Sequence, residues 1–386
     1  MQSTLNAQLS APFVIEAARL FDGRQITGPR AVEIADGRIQ AVHAAGDAPT
    51  RYPVLRLPVG ALLAPGFIDV QVNGGGGALL NDDPSVAAIA RIAEAHRRFG
   101  TTGLLPTLIT DDRSQLSRLA ACMDESLSVP GVLGFHLVGP FINPARKGIH
   151  PAQHIRRPSP EDMALLCSFG RAGRSLVTVA PEMLDAADIQ RLVAAGLRIA
   201  IGHSDATAEV ALSAMNAGAT AVTHLFNAMS QMSPRAPGVV GASLANARTF
   251  AGIICDGLHV DPVNVSVALK SKGRDRLMLI TDAMSLIGTD ETEFHLQGRP
   301  IHLNGGRLTD ASGTLAGAHL TMIDAVQNAI GMMGATMEDA LIMASLTPAR
   351  FLGLHDELGR IAPGFRADLV AIDEQFRVQR TWIGGV

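Results

Sequence analysis

The stretches IGHSDAT (201–207) and TAVTHLFNAM (220–229) decide the fold of this chain. Each contains a histidine that closes a short apolar run, His203 in the first and His224 in the second. Between them, Thr207–Gly218 has the Ala, Leu and Met content of a helix that ends at a glycine. A strand, histidine, helix, strand, histidine order places both imidazoles at one rim of a parallel sheet, close enough to share a metal ion. Either histidine alone is more simply explained as a hydrogen-bonded residue at a strand end.

The composition argues against a protein that binds nucleic acid or membranes. Of the 386 residues, 47% are hydrophobic and 18% charged, the net charge is −4 and aromatic residues make up 4%. These values allow one large α/β domain plus a smaller one, without basic runs or base-stacking surfaces. The three scattered cysteines (Cys122, Cys167 and Cys255) predict neither a thiolate zinc site nor a disulfide framework. With no signal-peptide pattern and no long apolar stretch, we expect a soluble, cytoplasmic protein.

Apolar runs alternate with helical segments through the middle of the chain, which predicts a (β/α)₈ barrel. The eight runs are Phe67–Val72, Gly103–Ile109, Gly131–Val138, Leu176–Val179, Leu197–Ile201, Ala219–Thr223, Phe250–Cys255 and Leu277–Thr281. A doubly wound open sheet is the alternative, but no GxGxxG follows the first run. Both ends of the chain are β-like, which favours one small sheet domain made by the two termini. The expected division is 1–64 plus 356–386 for that domain and 65–355 for the barrel, with a hairpin over Phe294–Leu308.

Polar residues fall repeatedly at the carboxyl ends of these runs, where barrel enzymes have their active sites. Asp282 is the best candidate for a general base, although a strand-end aspartate often only caps a turn. His259 could bind substrate or stabilise an oxyanion, and a surface histidine is an equal alternative. Asn227 and Ala228 begin a loop that could hold a polar substrate. Arg235 suits an anionic group such as phosphate, although an exposed arginine is the simpler interpretation.

Nine motifs, in order from about Pro65 to Arg350, carry a resemblance to one family. They are PGFIDVQVNGGGG, HLVGPFINPARKGIHP, VAPEM, GHSDAT, THLFNAM, DGLHVD, LITDAM, GTLAGAHLTM and TPAR. Together they resemble the N-acetylglucosamine-6-phosphate deacetylases of the amidohydrolase superfamily. HLFNAM and DGLHVD distinguish this family from dihydroorotases and hydantoinases.

The resemblance implies a metal-dependent (β/α)₈ barrel with a small β-sandwich formed by both termini. It implies that metal-activated water deacetylates N-acetyl-D-glucosamine 6-phosphate to glucosamine 6-phosphate and acetate. By the same resemblance, His203 and His224 bind the metal and Asp282 shuttles the proton. A homodimer is also implied, in which Arg235 reaches the phosphate in the neighbouring active site. The substrate-binding positions implied are His150, Asn227, Ala228, Arg235, His259, Leu315, Ala316, Gly317 and Ala318.

The chain departs in two ways from patterns known among amidohydrolases. Gln71 and Asn73 stand where many members have HxH, which matches the single-metal branch, so we expect one divalent metal, with zinc as the first candidate. Val138 stands where the family's HLEGP motif has a metal-binding glutamate, and valine has no donor atom. We therefore expect reduced metal affinity. Three explanations stay open: a substitution that disables the enzyme, a natural variant that recruits another ligand, or a metal-poor relative that only binds sugar phosphate.

Two functional alternatives stay open. A weakly active or inactive sugar-phosphate-binding protein is one, and a deacetylase for N-acetylgalactosamine 6-phosphate is the other. The sequence does not decide between the two epimers.

Overall fold

A computed structural model describes residues 11–386 and has an eight-stranded parallel barrel at its centre. Consecutive strands pair in chain order, and the eighth returns to the first through the Val72–Ala283 bridge and a 3.0 Å bond from the Asp282 N–H to the Gln71 carbonyl. The predicted (β/α)₈ barrel is therefore confirmed. The strands are Phe67–Val72, Thr101–Ile109, His136–Val138, Leu176–Val179, Arg198–Ile201, Ala221–Val222, Phe250–Ile254 and Leu277–Ile280.

Helices follow the barrel strands and cover the outside of the sheet. The helix between the two histidines runs over Ala208–Ala217, begins after the Thr207 cap and ends at Gly218, whose φ of +122° suits glycine. The other helices are Val86–Arg97, Arg113–Ser126, Pro160–Ser168, Ala186–Ala194, Gly238–Ala245, Pro262–Lys272, Met322–Asn328, Met337–Ala344 and Leu346–Leu352. No helix within residues 11–386 is long and apolar enough to cross a membrane.

Two small sheets lie beside the barrel, one made of strands between residues 13 and 56 and the other made by both ends of the chain. In the five-stranded sheet, Leu62–Pro65 pairs with Leu369–Ile372, so the two ends of the chain meet as the sequence predicts. A buried cluster that includes Trp382 fills the space between the two sheets. The other strands are Phe13–Ala17, Arg19–Phe21, Ile26–Thr27, Arg30–Ala35, Arg38–Ala44, Val54–Arg56 and Val378–Trp382. We propose that residues 1–64 and 356–386 form the small sheet domain and that residues 65–355 form the barrel domain. Residues 1–10, which the signal-peptide argument used, lie outside the described range.

Two strand predictions differ from the structure. The third barrel strand begins at His136 rather than Gly131, because Gly131 and Gly134 have φ values of +91° and +157° that interrupt an extended strand. The hairpin predicted over Phe294–Leu308 is part of a larger antiparallel sheet of four strands. These are Glu293–Leu296, Arg299–Asn304, Arg307–Thr309 and Leu315–Ala318.

Candidate active site

A cavity of about 470 Å³ opens at the carboxyl ends of the barrel strands. Four of the residues that line it have positive φ although they are not glycine: His203 (+48°), His224 (+33°), Ala228 (+50°) and Asp282 (+51°). Non-glycine residues in this region each cost on the order of 1–3 kcal/mol and concentrate at functional sites. The backbone therefore marks the same rim that the sequence predicts.

The two histidines face each other through their outer ring nitrogens. Nδ1 of His203 donates to the carbonyl of Arg146 at 2.9 Å, and Nδ1 of His224 to the carbonyl of Asn227 at 3.1 Å. Because a carbonyl can only accept, each neutral ring has its lone pair on Nε2, and the two Nε2 atoms lie 3.0 Å apart. Burial lowers the pKa of His203 to about 3 and that of His224 to about 4, so both rings are neutral at pH 7. Two converging lone pairs suit a cation between them.

Val138 occupies the wall beside this pair and offers it no ligand. It is 1% exposed and belongs to an apolar cluster that also includes Ile109, Ile149 and Met284. Within residues 11–386, no group of three or more His, Cys, Asp and Glu side chains is arranged to hold a metal ion. The imidazole pair therefore fits a divalent metal by donor type, but supplies only two of the three protein ligands usual for a catalytic zinc.

Asp282 follows the eighth barrel strand and reaches the cavity with one free oxygen. Its Oδ1 accepts hydrogen bonds from Nε2 of Gln71 at 2.8 Å and from Nδ2 of Asn73 at 2.7 Å. Its Oδ2 has no hydrogen-bond partner among the described residues. Burial raises the pKa of Asp282, while the hydrogen bonds from Asn73 and Gln71 and the electrostatic influence of His259 partly offset that rise. From sequence, Gln71 and Asn73 indicate only the lack of a second metal site; their contact with Asp282 could not be anticipated.

His259 lines the cavity and is held by Asp256. Nδ1 of His259 lies 2.6 Å from Oδ2 of Asp256, whose Oδ1 accepts the N–H groups of Leu258 and His259 at 2.8 Å each. Burial alone would raise the pKa of Asp256, but its bonds and charge interaction with His259 bring it below its usual value. Asp256 is therefore ionised and fixes the His259 proton on Nδ1, which leaves Nε2 for a ligand. Asp256 is a functional neighbour that sequence reasoning left without a role.

His150 forms another part of the cavity wall. Its Nδ1 lies 2.7 Å from Oγ1 of Thr110, whose hydroxyl donates to the carbonyl of Val138 at 3.2 Å. Its ring centroid is 4.3 Å from that of His203. Burial lowers its pKa, so His150 is neutral and its Nε2 can accept a hydrogen bond from a ligand.

The remaining predicted substrate residues divide into two groups. Asn227, Leu315 and Gly317 line the cavity, whereas Ala316 and Ala318 are buried and do not line it. Strand alternation explains this difference, because neighbours in an extended strand point to opposite faces. The N–H of Ala318 donates to the carbonyl of Asp282 at 2.9 Å, so its contribution is to the backbone around the carboxylate.

Two arginines differ in their relation to the cavity. Arg235 lies in an exposed segment, 231–237, and does not line the cavity of its own chain. Arg146, which the sequence did not single out, lines the cavity and pairs with Asp205 at 2.7 Å. Its only sequence signal is its place in the long loop after the third strand.

Comparison with known proteins identifies the family to which this architecture belongs. Residues 62–386, which contain the whole barrel, match the amidohydrolase family. The chain belongs to the amidohydrolase family. Members are metal-associated hydrolases, which agrees with the lone-pair geometry of His203 and His224.

Individual relatives of this amidohydrolase are similar to it over 84% or more of its length. It is 40% identical to an N-acetylgalactosamine-6-phosphate deacetylase of Shewanella sp. (strain ANA-3), over 96% of this chain and 95% of the relative. It is 37% identical to an N-acetylglucosamine-6-phosphate deacetylase of Haemophilus influenzae, over 84% of this chain and 85% of the relative. The crystal structure of N-acetylglucosamine-6-phosphate deacetylase from Pasteurella multocida superposes with a TM-score of 0.94 at 36% identity, covering 97% of this chain and 98% of that one.

Proposed function

We propose that this amidohydrolase deacetylates N-acetyl-D-glucosamine 6-phosphate, giving glucosamine 6-phosphate and acetate. One observation carries the proposal: the free Oδ2 of Asp282 and the Nε2 lone pairs of His203 and His224 line one cavity. Amide hydrolysis needs a group that takes a proton from water and returns it to the departing amine. The relatives named above, which act on N-acetylated amino sugar phosphates, support this substrate class.

His203 and His224 are the residues that we propose hold one divalent metal, zinc. Imidazole nitrogens are among the preferred zinc ligands. When bound, such a metal supplies a Lewis acid and lowers the pKa of water. Because Val138 provides no third ligand, we expect this chain to hold the metal less tightly than a three-ligand site would.

The proton path that we propose uses Asp282 alone. As the water oxygen bonds to the amide carbon, Oδ2 accepts one proton from the water, and it donates that proton to the nitrogen as the C–N bond breaks. The products are the free amine and acetic acid, and the remaining proton of the acid then passes to the amine, which gives acetate and an ammonium group. His259 orients the sugar through Nε2, with Asp256 holding its other nitrogen. Nε2 of His150 accepts a hydrogen bond from the substrate, and the loop of Asn227 and Ala228 offers backbone and amide groups to the sugar.

We propose a homodimer in which Arg235 binds the phosphate of a substrate in the neighbouring chain. Within its own chain Arg235 is exposed and does not line the cavity, so its guanidinium can serve a ligand held elsewhere. A guanidinium is the side chain best suited to bidentate phosphate binding.

We also propose that the protein works in the cytoplasm. Its three cysteines are free, which is consistent with that compartment.

The test of the activity is acetate release by the purified protein, with its metal content measured on the same sample. Release that depends on added zinc supports the proposed function. A protein that contains no metal and releases no acetate with zinc present would contradict it and favour a silent sugar-phosphate-binding protein. The absence of a ligand at Val138 is the observation behind that second candidate.

The epimer is tested by giving the protein N-acetylglucosamine 6-phosphate and N-acetylgalactosamine 6-phosphate separately. The similarity to the Shewanella enzyme, over 96% of this chain, is the specific reason to include the galactosamine epimer. If kcat/KM is at least tenfold higher for N-acetylgalactosamine 6-phosphate, that sugar replaces N-acetylglucosamine 6-phosphate as the proposed substrate.

A further inference from the structure

Three side chains on the first barrel strand and its end face the eighth strand. Asp69, Gln71 and Asn73 alternate along the chain, as residues on one face of a strand do, and all three are at most 4% exposed. Asp69 Oδ2 accepts the hydroxyl of Thr281 at 2.5 Å, and Asp69 Oδ1 accepts the Gln71 N–H at 3.1 Å. The end of strand eight is therefore attached to strand one immediately before Asp282.

The two amides of this row converge on one oxygen atom. Gln71 and Asn73 both donate to Oδ1 of Asp282, at 2.8 and 2.7 Å. Neither amide can turn its carbonyl towards the carboxylate, because two acceptors would then face each other. Their own carbonyl oxygens are buried and have no partner among the described residues. Leaving a buried acceptor unpaired is unfavourable. The orientation of both amides is therefore set by their hydrogen bonds to the carboxylate, and not by a preference of the amides themselves.

We propose that Gln71 and Asn73 are positioning residues that fix Oδ1 of Asp282, so that only Oδ2 takes and returns the proton. The reaction in which Asp282 takes part rests on the proposed function, but the two hydrogen bonds that fix Oδ1 do not depend on it. A carboxylate on a rotatable bond otherwise presents either oxygen, and a misplacement of about 1 Å at a reacting group can cost on the order of 100-fold in rate.

The charges around Asp282 predict how its proton affinity responds when the amides are removed. The ionisable groups that influence it are Asp69, Asp256 and His259. Burial and Asp256 raise the pKa of Asp282, while Asn73, His259 and Gln71 lower it. Removing the amides takes away two of the interactions that favour the ionised form. The pKa of Asp282 should then rise further.

The experiment replaces each amide by a side chain of similar size without donors: Gln71→Leu, Asn73→Leu and the double variant. The matched control is Asn81→Leu, because the Asn81 amide is also buried and donates to an aspartate, Asp111, at 2.8 Å but outside the cavity. We expect kcat to fall by about 10- to 100-fold in each single variant, with KM within about twofold of the parent value. The acid limb of the kcat profile should move to higher pH, and the double variant should show the larger shift.

A crystal structure of the double variant gives a readout that does not need activity. A rotated or doubly oriented Asp282 carboxylate is the expected result. An unrotated carboxylate, or an acid limb that stays in place, overturns the proposal, as does an equal effect of Asn81→Leu. If the parent protein releases no acetate, the proposed function has failed, and the orientation of Asp282 still decides whether the two amides hold it.

Discussion

Nε2 of His203 lies 3.0 Å from Nε2 of His224, although both rings have given their single N–H to a backbone carbonyl through Nδ1. No hydrogen is left to join the two nitrogens when both rings are neutral. The contact therefore places two lone pairs against each other, which a cation between them would stabilise. Within residues 11–386 the pair has no third protein ligand, and Val138 lines the same cavity with a side chain that has no donor atom.

The first prediction concerns Val138→Glu. A carboxylate at this position adds an anionic donor to the two imidazoles, so we expect more zinc per chain by elemental analysis and faster acetate release. Glutamine has nearly the same shape as glutamate but no charge, so Val138→Gln should increase the zinc content and the acetate release less than Val138→Glu does. Unchanged zinc content in the glutamate variant would mean that position 138 does not face the metal.

The same variant has a predicted cost in stability when the metal is removed. Val138 packs among Ile109, Ile149 and Met284, and an unpaired carboxylate in such surroundings is destabilising by several kcal/mol. We expect chelator to lower the melting temperature of Val138→Glu more than that of the parent protein. Equal shifts in the two proteins would contradict the idea that the metal compensates the buried charge.

The barrel and the position of the histidines could be predicted from sequence because they depend on local patterns. Apolar runs, the Thr207 cap and Gly218 are each visible within a few residues. The contacts of Asp282 with Gln71 and Asn73 could not be predicted in this way, since they join residues about 210 positions apart that meet only when the barrel closes. The exposure of Arg235, by contrast, agrees with the simpler interpretation of that residue from the sequence.

The second prediction concerns Asp256→Asn. Asparagine keeps a carbonyl oxygen for the N–H groups of Leu258 and His259, but it has no negative charge to hold the His259 proton on Nδ1. We expect kcat/KM to fall roughly tenfold or more, the effect of losing a charged hydrogen bond of about 1.5–3 kcal/mol. The tautomer itself can be measured by ¹⁵N NMR of His259.

The control for Asp256→Asn is Glu33→Gln, which removes the charge from a His43–Glu33 pair with a 3.0 Å separation in the small sheet region. It should leave kcat/KM unchanged. If Asp256→Asn alters neither kcat/KM nor the nitrogen shifts of His259, then Asp256 does not set the tautomer.

The third prediction is that the metal-free protein becomes more stable as pH rises from about 4 to 6.5. Burial lowers the pKa of His96 to about 4 and that of His136 to about 3, so the unfolded chain binds protons in this range that the folded chain does not. Asp69 has the opposite effect, because burial raises its pKa to about 7 and the folded state then holds the extra proton. The pKa of Asp282 is also raised by burial, but His150, His203 and His224 are neutral for the same reason as His96 and His136, so five histidines outweigh two carboxyl groups in the number of protons.

Urea unfolding at several pH values in the presence of chelator measures this balance. Asp69→Asn removes the opposing contribution and should make the rise of the unfolding free energy with pH steeper. A flat or falling free energy between pH 4 and 6.5 in the parent protein would show that the histidines do not stay neutral in the folded state.

The fourth prediction tests whether Arg235 acts on the neighbouring chain. Arg235→Gln should raise KM for the phosphorylated sugar, with kcat little changed, because the guanidinium binds the phosphate rather than the reacting amide. Arg171→Gln, a change at another exposed arginine, is the control and should leave KM as it is.

Mixed dimers of Arg235→Gln and Asp282→Asn chains test directly whether Arg235 acts across the dimer. The site with an intact Asp282 would then receive Arg235 from its partner, so activity at low substrate should exceed that of either variant alone. If mixing restores nothing, Arg235 does not complete the site of a neighbouring chain, and the phosphate must be bound by groups of the same chain.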